Sequence, residues 1–337
     1  KFHGERTGGT EKTRNEHVVA IRMLSGFLGK GRGIREITRA DMIAYKDALR
    51  QMPTNSQQRF RGLTVPQAIK ANAKRETPYK VLDPTTVNDK WLMHINNIFN
   101  WAVNNDLMDS SPAKGVKIDI GKGFKEPSRV AFTPDDIKAI FSNPFFTEAK
   151  QFEGPHWALL LALYCGARSS SEIARVKLRD IYKEQGVDVI DLIDATKNVQ
   201  SKRIVPLHRD LIDFGFFDYV NRMKAQNSGA LFPEWQNSRR DKYNRWFLRT
   251  YKAIVGINDR RKVFHSFRHS LKTALARHSV NRDVSDLITG HKDQSVGGIY
   301  ISDQATTMVQ SMAEGIRRVD FGLTAYLARK SDKLPMM

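Results

Sequence analysis

Apolar positions in the first hundred residues recur every three or four places, the spacing of helices that each bury one face. From Arg14 onward, Val18, Ile21, Leu24 and Leu28 fit such a face, and Gly29, Gly31 and Gly33 break it. Thr38 followed by Asp41 has the form of a capping box and predicts a helix carrying Met42, Tyr45 and Leu49 that stops near Pro53. A short helix is expected over Pro66 to Ala73. Thr85 or Thr86 opens a longer one with the stripe Val87, Trp91, Ile95, Ile98 and Ala102, closed by Asn104-Asn105 and Ser110-Ser111-Pro112. These segments predict an all-helical first domain over residues 14–115, behind a flexible lead-in at 1–13.

Gly, Lys and Pro then take over, which marks residues 116–130 as a linker. Thr133-Pro134-Asp135-Asp136 starts a second domain at 131–314, with a Thr cap, Pro in the first turn and Asp at the third position. Trp157 to Tyr164 reads as a buried helix ended by Gly166-Ala167-Arg168, and Ser169 to Ser171 are expected to cap a further helix holding Glu172, Ile173 and Val176. Val187 to Ile193 and Arg203 to Leu207 read as two strands joined by a polar turn. Helical spacing resumes at 211–223, 241–255, 265–277, 284–289 and 302–314. The tail at 315–337 carries a further helical stretch at 321–328 and is a candidate for contact with a second protomer. The expected fold class is mainly α with a small antiparallel β-sheet, a helical domain followed by a mixed α/β domain.

Charge narrows the partners. Across 337 residues the formal net charge is +19 and the pI is about 10.0, with the cations spread along the chain, so a polyanion is the expected partner and nucleic acid the first choice. No apolar run is long enough to span a bilayer. A lone cysteine, Cys165, cannot form an internal disulfide, and no signal peptide is visible, which together point to the cytoplasm. The start at Lys1 rather than Met is expected of a fragment or a processed chain.

The densest chemistry lies between His265 and Tyr300: H-S-F-R-H (His265 to His269), I-T-G-H (Ile288 to His291) and G-I-Y (Gly298 to Tyr300). His265 and Arg268, three apart on a helix, project from one face and can grip an anionic oxygen while handling a proton beside it. A zinc site built on His265, His269 and His291 is the rival reading. It is disfavoured because Ser266 stands where a metalloprotease places its Glu base and Arg268 would set a cation against the metal. Metal-free phosphoryl transfer instead needs two guanidinium forks on the non-bridging oxygens, a nucleophile, and a proton donor for the leaving oxygen. Arg168, Arg268, Tyr300, Lys197 and the histidines make up that inventory.

In this order and spacing the second domain resembles the catalytic domain of the tyrosine recombinases, the phage integrase family. Y-C-G-A-R (Tyr164 to Arg168) resembles the first-Arg motif, and A-T-K-N-V-Q-S-K-R-I-V-P-L (Ala195 to Leu207) the hairpin with the catalytic Lys. H-S-F-R-H resembles the H-x-x-R-H box and T-G-H the following L-G-H, with Tyr300 nine residues further on, at the family's usual distance. T-R-A-D-M-I-A-Y and L-D-P-T-T-V-N resemble the family's helical core-binding domain, so the likeness covers roughly residues 10 to 315. Where the pattern G-x-R-x-x-E has its acid stands Ser171, with Glu172 one place later. The resemblance therefore carries Arg168 onto this chain but not, by itself, an acidic partner. Lys202 competes with Lys197 for the role of the hairpin lysine.

The resemblance implies an enzyme in which Tyr300 attacks the scissile phosphate, Arg168 and Arg268 clamp it and Lys197 protonates the leaving 5′-oxygen. His265 would take the phenol proton and His291 would hydrogen-bond the phosphate. It implies no cofactor and no metal. The partner would be double-stranded DNA carrying attachment or recombination sites, gripped between the two domains by a homo-tetramer. Accessory DNA-bending or directionality factors would assist, and the setting would be the cytoplasmic nucleoid. A type IB topoisomerase-like enzyme and a non-catalytic, recombinase-like regulator are the alternatives.

Overall fold

A computed structural model describes residues 2, 11–29, 31–121, 127–193, 202–235, 242–291 and 308–327. The chain divides into two compact units, Lys1–Lys125 and Glu126–Met337. Lys197 and Tyr300 lie outside the described residues.

The first unit is helical: α1 (Glu11–Leu28), α2 (Arg39–Gln51), α3 (Val65–Ala73) and α4 (Met93–Asn104). Asp83 caps a short turn, Pro84–Thr86, which runs through a π-helical stretch, Val87–Leu92, into α4. The capping box of α2 forms as expected, with Asp41 N–H donating to Thr38 Oγ1 and Thr38 N–H to Asp41 Oδ2. The core gathers Met23, Leu24, Met42, Tyr45, Leu49, Trp91, Ile95 and Phe99. One expectation is corrected in α1: Val18 and Ile21 are both 41% exposed, and the buried face is His17, Ala20, Met23 and Leu24. His17 packs edge-on to Phe2 and His94, so a polar residue supplies part of the face that apolar spacing assigned to its neighbours. Val116 and Ile118 also belong to this core, and Asn88 pairs through both amide atoms with the Ile118 backbone (2.9 Å each). The first unit thus extends past residue 115.

In the second unit, α5 (Pro134–Phe141) begins with the expected capping box of Thr133 and Asp136. Helix α6 (Gly154–Tyr164) is buried on every side from His156 onward. It is followed by a three-stranded antiparallel sheet in the order β1 (Ile181–Glu184), β2 (Val187–Ile193), β3 (Lys202–Pro206). Apolar patterning recognises β2 and β3 but not β1, which is short and only half-buried. Ile181 pairs with Ile190, and Leu192 with Arg203. Val189, Ile190, Asp191 and Leu192 are all buried, as in a strand covered on both faces.

The expected helix over 211–223 is two, α7 (Arg209–Asp213) and α8 (Phe216–Ala225). A helical run from α9 (Lys242–Trp246) passes through a π-helical stretch to Ile254. Then come α10 (Ser266–Arg277), α11 (Arg282–Thr289), α12 (Val309–Arg317) and α13 (Thr324–Leu327). Val319, Leu323 and Leu327 are buried in this unit's own core, and Phe321 meets Tyr164 edge-on. Of the tail at 315–337, the part up to residue 327 therefore packs on its own chain.

Candidate active site

The site is assembled where three chain segments converge on the end of α6. Helix α6 stops at Cys165, and Gly166 turns the chain with φ +56°. A β-carbon at residue 166 would stand 3.2 Å from Leu271 Cδ2 and 3.4 Å from Arg268 Cγ, so the bare glycine lets α10 lie directly against this turn. Residues 169–176 do not form the helix that the serines suggested. Ile173 N–H bonds to Arg168 O and Ala174 N–H to Ser169 O, both five residues back at 2.9 Å, before a short 3₁₀ turn at Ile173–Arg175. A turn one residue wider than an α-helix absorbs one extra residue. It brings Glu172 back onto the face of Arg168: Glu172 Oε2 accepts from the Arg168 backbone N–H (2.8 Å) and Oε1 from Arg168 Nη1 (3.0 Å). The acidic partner is thus present, one position later than in the family pattern.

Helix α10 delivers the second guanidinium. Phe267 is wholly buried among Phe132, Phe141, Phe247 and Phe264, which fixes the helix's first turn. The Ser270 hydroxyl accepts from Phe132 N–H at 2.8 Å and ties the helix to the start of the domain. Arg268, only 2% exposed, donates Nη1 to Gly166 O at 2.8 Å and lies 3.9 Å from the Glu172 carboxylate. His265 sits at the mouth of the same helix. The third segment closes α11. Gly290 (φ +60°) ends it, with Gly290 N–H on Leu287 O and His291 N–H on Asp286 O. That pair of bonds is a Schellman closure, which sets His291 immediately beyond the helix. A β-carbon on Gly290 would stand 2.7 Å from Arg203 Cδ and 3.1 Å from Arg268 Nη2.

Arg203, on β3, ties the turn after α6 to the end of α11, and no motif singles it out. It is 6% exposed and donates to Cys165 O (3.1 Å), Gly166 O (3.2 Å), Ile288 O and Glu172 Oε2 (2.7 Å). One planar fork thus fastens the first-arginine turn, the acid and the end of α11. The signal available beforehand was an arginine between Lys202 and Ile204 in a strand with no polar partner in sequence reach. Glu172 is the shared carboxylate of Arg168, Arg203 and Arg268. Burial alone would raise its pKa, but Arg203 and Arg268 hold it below the ordinary carboxylate value, so it is ionised and the cluster keeps net positive charge.

The histidines around this cluster are neutral at pH 7. Burial and the charges of Arg268, His269, Arg129 and Arg168 lower His265 to about 4. Burial with Lys272 and Arg268 does the same to His291. His269, whose ring meets that of His265 edge-on at 5.1 Å, is lowered as well, by burial first and then Arg129. Arg129, assigned to the linker from sequence, is therefore an exposed cation beside both rings. The Thr289 hydroxyl donates to Ser285 O (2.7 Å), which leaves it to accept from His291 Nδ1 (2.8 Å) and places the free lone pair of the neutral ring on Nε2. Cys165 is buried with its thiol pushed up to about 12, which keeps it inert.

The structure brings Arg168, His265, Arg268 and His291 to one place and adds Glu172 and Arg203. Lys197 and Tyr300 fall outside the described residues, and Lys202 contributes its backbone to β3. A cationic cluster locked by a buried carboxylate, flanked by neutral imidazoles, can hold a phosphodiester and accept a proton beside it.

Comparison with known proteins bears on the family and the fold. Residues 132–307, over half of the chain, match the model of the phage integrase family. The tyrosine recombinase XerD of Proteus mirabilis is 28% identical over 185 residues, 52% of this chain and 56% of that protein. XerD of Pseudomonas putida is 23% identical over 220 residues, 63% and 69% of the two chains. The chain spans about half the length of the first curated relatives it matches. Among solved structures, a lambda integrase dimer bound to a COC' core site superposes with a TM-score of 0.58 at 14% identity, covering 90% of this chain and 91% of that one. The Tn1549 transposon integrase in complex with circular intermediate DNA gives 0.58 at 16%, covering 88% and 91%. The two-unit helical architecture with its small sheet is the fold of those integrases, and this chain belongs to the phage integrase family.

Proposed function

We propose that this chain is a site-specific DNA recombinase that cuts and rejoins strands through a 3′-phosphotyrosyl intermediate, integrating or excising a mobile element. The observation that carries the reading is the buried carboxylate of Glu172 shared by Arg168, Arg203 and Arg268, with His265 and His291 beside it. Fixed guanidiniums stabilise charge that gathers on non-bridging phosphate oxygens, and they do so without reorganising during the reaction. The Tyr300 phenol oxygen forms a bond to phosphorus as the bond to the 5′-oxygen breaks. His265, neutral at pH 7, receives the phenol proton, and Lys197 gives a proton to the departing 5′-oxygen. The phosphotyrosyl ester retains the bond energy, so the reverse attack by a 5′-hydroxyl reseals a strand without ATP. Four protomers on paired duplexes are the assembly that strand exchange requires.

Nicked suicide duplexes bearing the attachment site, incubated with the protein in EDTA, are expected to yield a covalent protein–DNA band. Loss of all cleavage in EDTA, with strand cutting restored by a divalent metal and no covalent adduct formed, would favour a metal-dependent hydrolase. Relaxation of supercoils by a monomer without exchange of strands between sites would favour the topoisomerase alternative.

A further inference from the structure

Between Met52 and Leu82 the first unit carries an excursion closed at its base. Leu82 N–H bonds to Met52 O (2.9 Å), Thr54 N–H bonds to Lys80 O (2.8 Å), and Pro53 bridges Val81. Within residues 54–80 the cations are Arg59, Arg61, Lys70, Lys74, Arg75 and Lys80, all exposed, and the single acid is Glu76. The Arg59 guanidinium lies over the Tyr79 ring at 3.9 Å from its centroid, and the Arg75 guanidinium lies over the same ring at 4.2 Å. Their charges can therefore be no further apart than the sum of those two distances. Arg59 Nη1 donates to Thr54 O and Oγ1 (3.1 Å each) and Arg75 Nε to Thr77 O (3.3 Å). Neither arginine forms an ion pair among the described residues.

The ring beneath them is held in place. Asn72, buried at the end of α3, donates Nδ2 to Tyr79 O (3.0 Å) and accepts Tyr79 N–H on Oδ1 (2.9 Å). Phe60 packs edge-on against the same ring at 6.1 Å. Two like charges brought together on one rigid aromatic, without a carboxylate between them, repel each other until an anion arrives. Stacking leaves the outer N–H edges of each fork free for that anion, and the fork matches phosphate oxygens two at a time.

We propose that Arg59 and Arg75, held on Tyr79, form a phosphate clamp of the first unit that grips the backbone of duplex DNA without reading its bases. The proposal rests on the recombinase reading for its ligand, but it concerns a site in the other unit from the arginine cluster. The remaining cations of the excursion, Arg61, Lys70, Lys74 and Lys80, are exposed and add to its positive charge. Backbone contacts of this kind supply affinity and register rather than sequence choice.

The test is fluorescence anisotropy of the full chain with labelled duplexes of several unrelated sequences, over a range of salt. Arg59→Gln and Arg75→Gln are each expected to lower the slope of log affinity against log salt by about one, equally on every sequence. The double variant should bind on the order of tenfold more weakly at moderate salt. Tyr79→Ala should weaken binding with no change in charge, and Tyr79→Phe, which keeps the platform, should bind as the parent does. The glutamine changes are at exposed positions, so the outcome does not depend on the alanine variant folding. A double variant with the parental slope and affinity overturns the clamp, and so does a loss confined to one sequence. If that variant still forms the covalent adduct while binding normally, the clamp fails and the recombinase reading stands. If binding depends on the clamp but the parent forms no adduct, the clamp stands and the recombinase reading fails.

Discussion

Tyr300→Phe is expected to abolish the covalent protein–DNA product while leaving duplex affinity within about twofold, because phosphate contacts from Lys and Arg set affinity. The substitution removes one oxygen and nothing else. In the proposed scheme that oxygen is the atom that bonds to phosphorus, and no other side chain is assigned to replace it. In the same scheme the phosphate grip is assigned elsewhere, to Arg168, which pairs with Glu172, and to Arg268, which is positioned by Gly166 O and faces Glu172. Binding and chemistry therefore separate cleanly in this variant. Gel resolution of the trapped complex measures one and anisotropy on the same duplex the other. A covalent band that persists in the phenylalanine protein would remove Tyr300 from its role.

Glu172→Gln has the second large effect. A carboxylate 2% exposed and shared by three guanidiniums leaves, when neutralised, a buried concentration of positive charge, and losing one member of a buried pair costs about 3–5 kcal/mol of folding stability. Cleavage should fall as well, since a shift of about 1 Å in a catalytic group is enough to lose roughly a hundredfold. The arginine forks are aimed by this acid and by the carbonyls of Cys165, Gly166 and Ile288. The stability effect carries a pH signature. The folded state holds Glu172 below its ordinary value of 4.5, so its contribution is complete above about pH 4.5 and is lost as pH falls through the depressed value. Denaturant titrations should show the full gap between parent and variant at pH 7, narrowing only below about pH 4.5. A gap unchanged down to pH 3 would mean that the carboxylate charge is not what the arginines need. Arg203→Lys probes the same cage from the other side. It keeps the charge but loses the planar fork, so it should weaken cleavage more than duplex binding.

Local spacing carried much of this site. Arg268, His265 and His291 lie on α10 and at the end of α11, where three-residue intervals and a glycine stop translate directly into a shared face and a turn. Glu172 was obscured because counting from Arg168 assumes an ordinary turn, whereas the hydrogen bonds here reach back five residues. Arg203 was obscured for a different reason. Its partners, Cys165, Gly166, Glu172 and Ile288, are distant in sequence, and only tertiary packing reveals that a strand arginine is the tie between them. In the first unit, the buried face of α1 was misjudged because His17 is buried and Val18 is not, and apolar periodicity cannot anticipate a buried imidazole. The π-helical stretches at Val87–Leu92 and Phe247–Tyr251 left the helices legible, since they widen a turn without breaking it.

The most direct test is to digest the adduct trapped on a suicide duplex and locate the nucleotide by mass spectrometry. A single modified peptide is expected, with the nucleotide joined through its 3′-phosphate to the phenol oxygen of Tyr300, and a free 5′-hydroxyl on the downstream fragment of the cleaved strand. An adduct on any other residue, or a link through a 5′-phosphate, would contradict the proposed scheme.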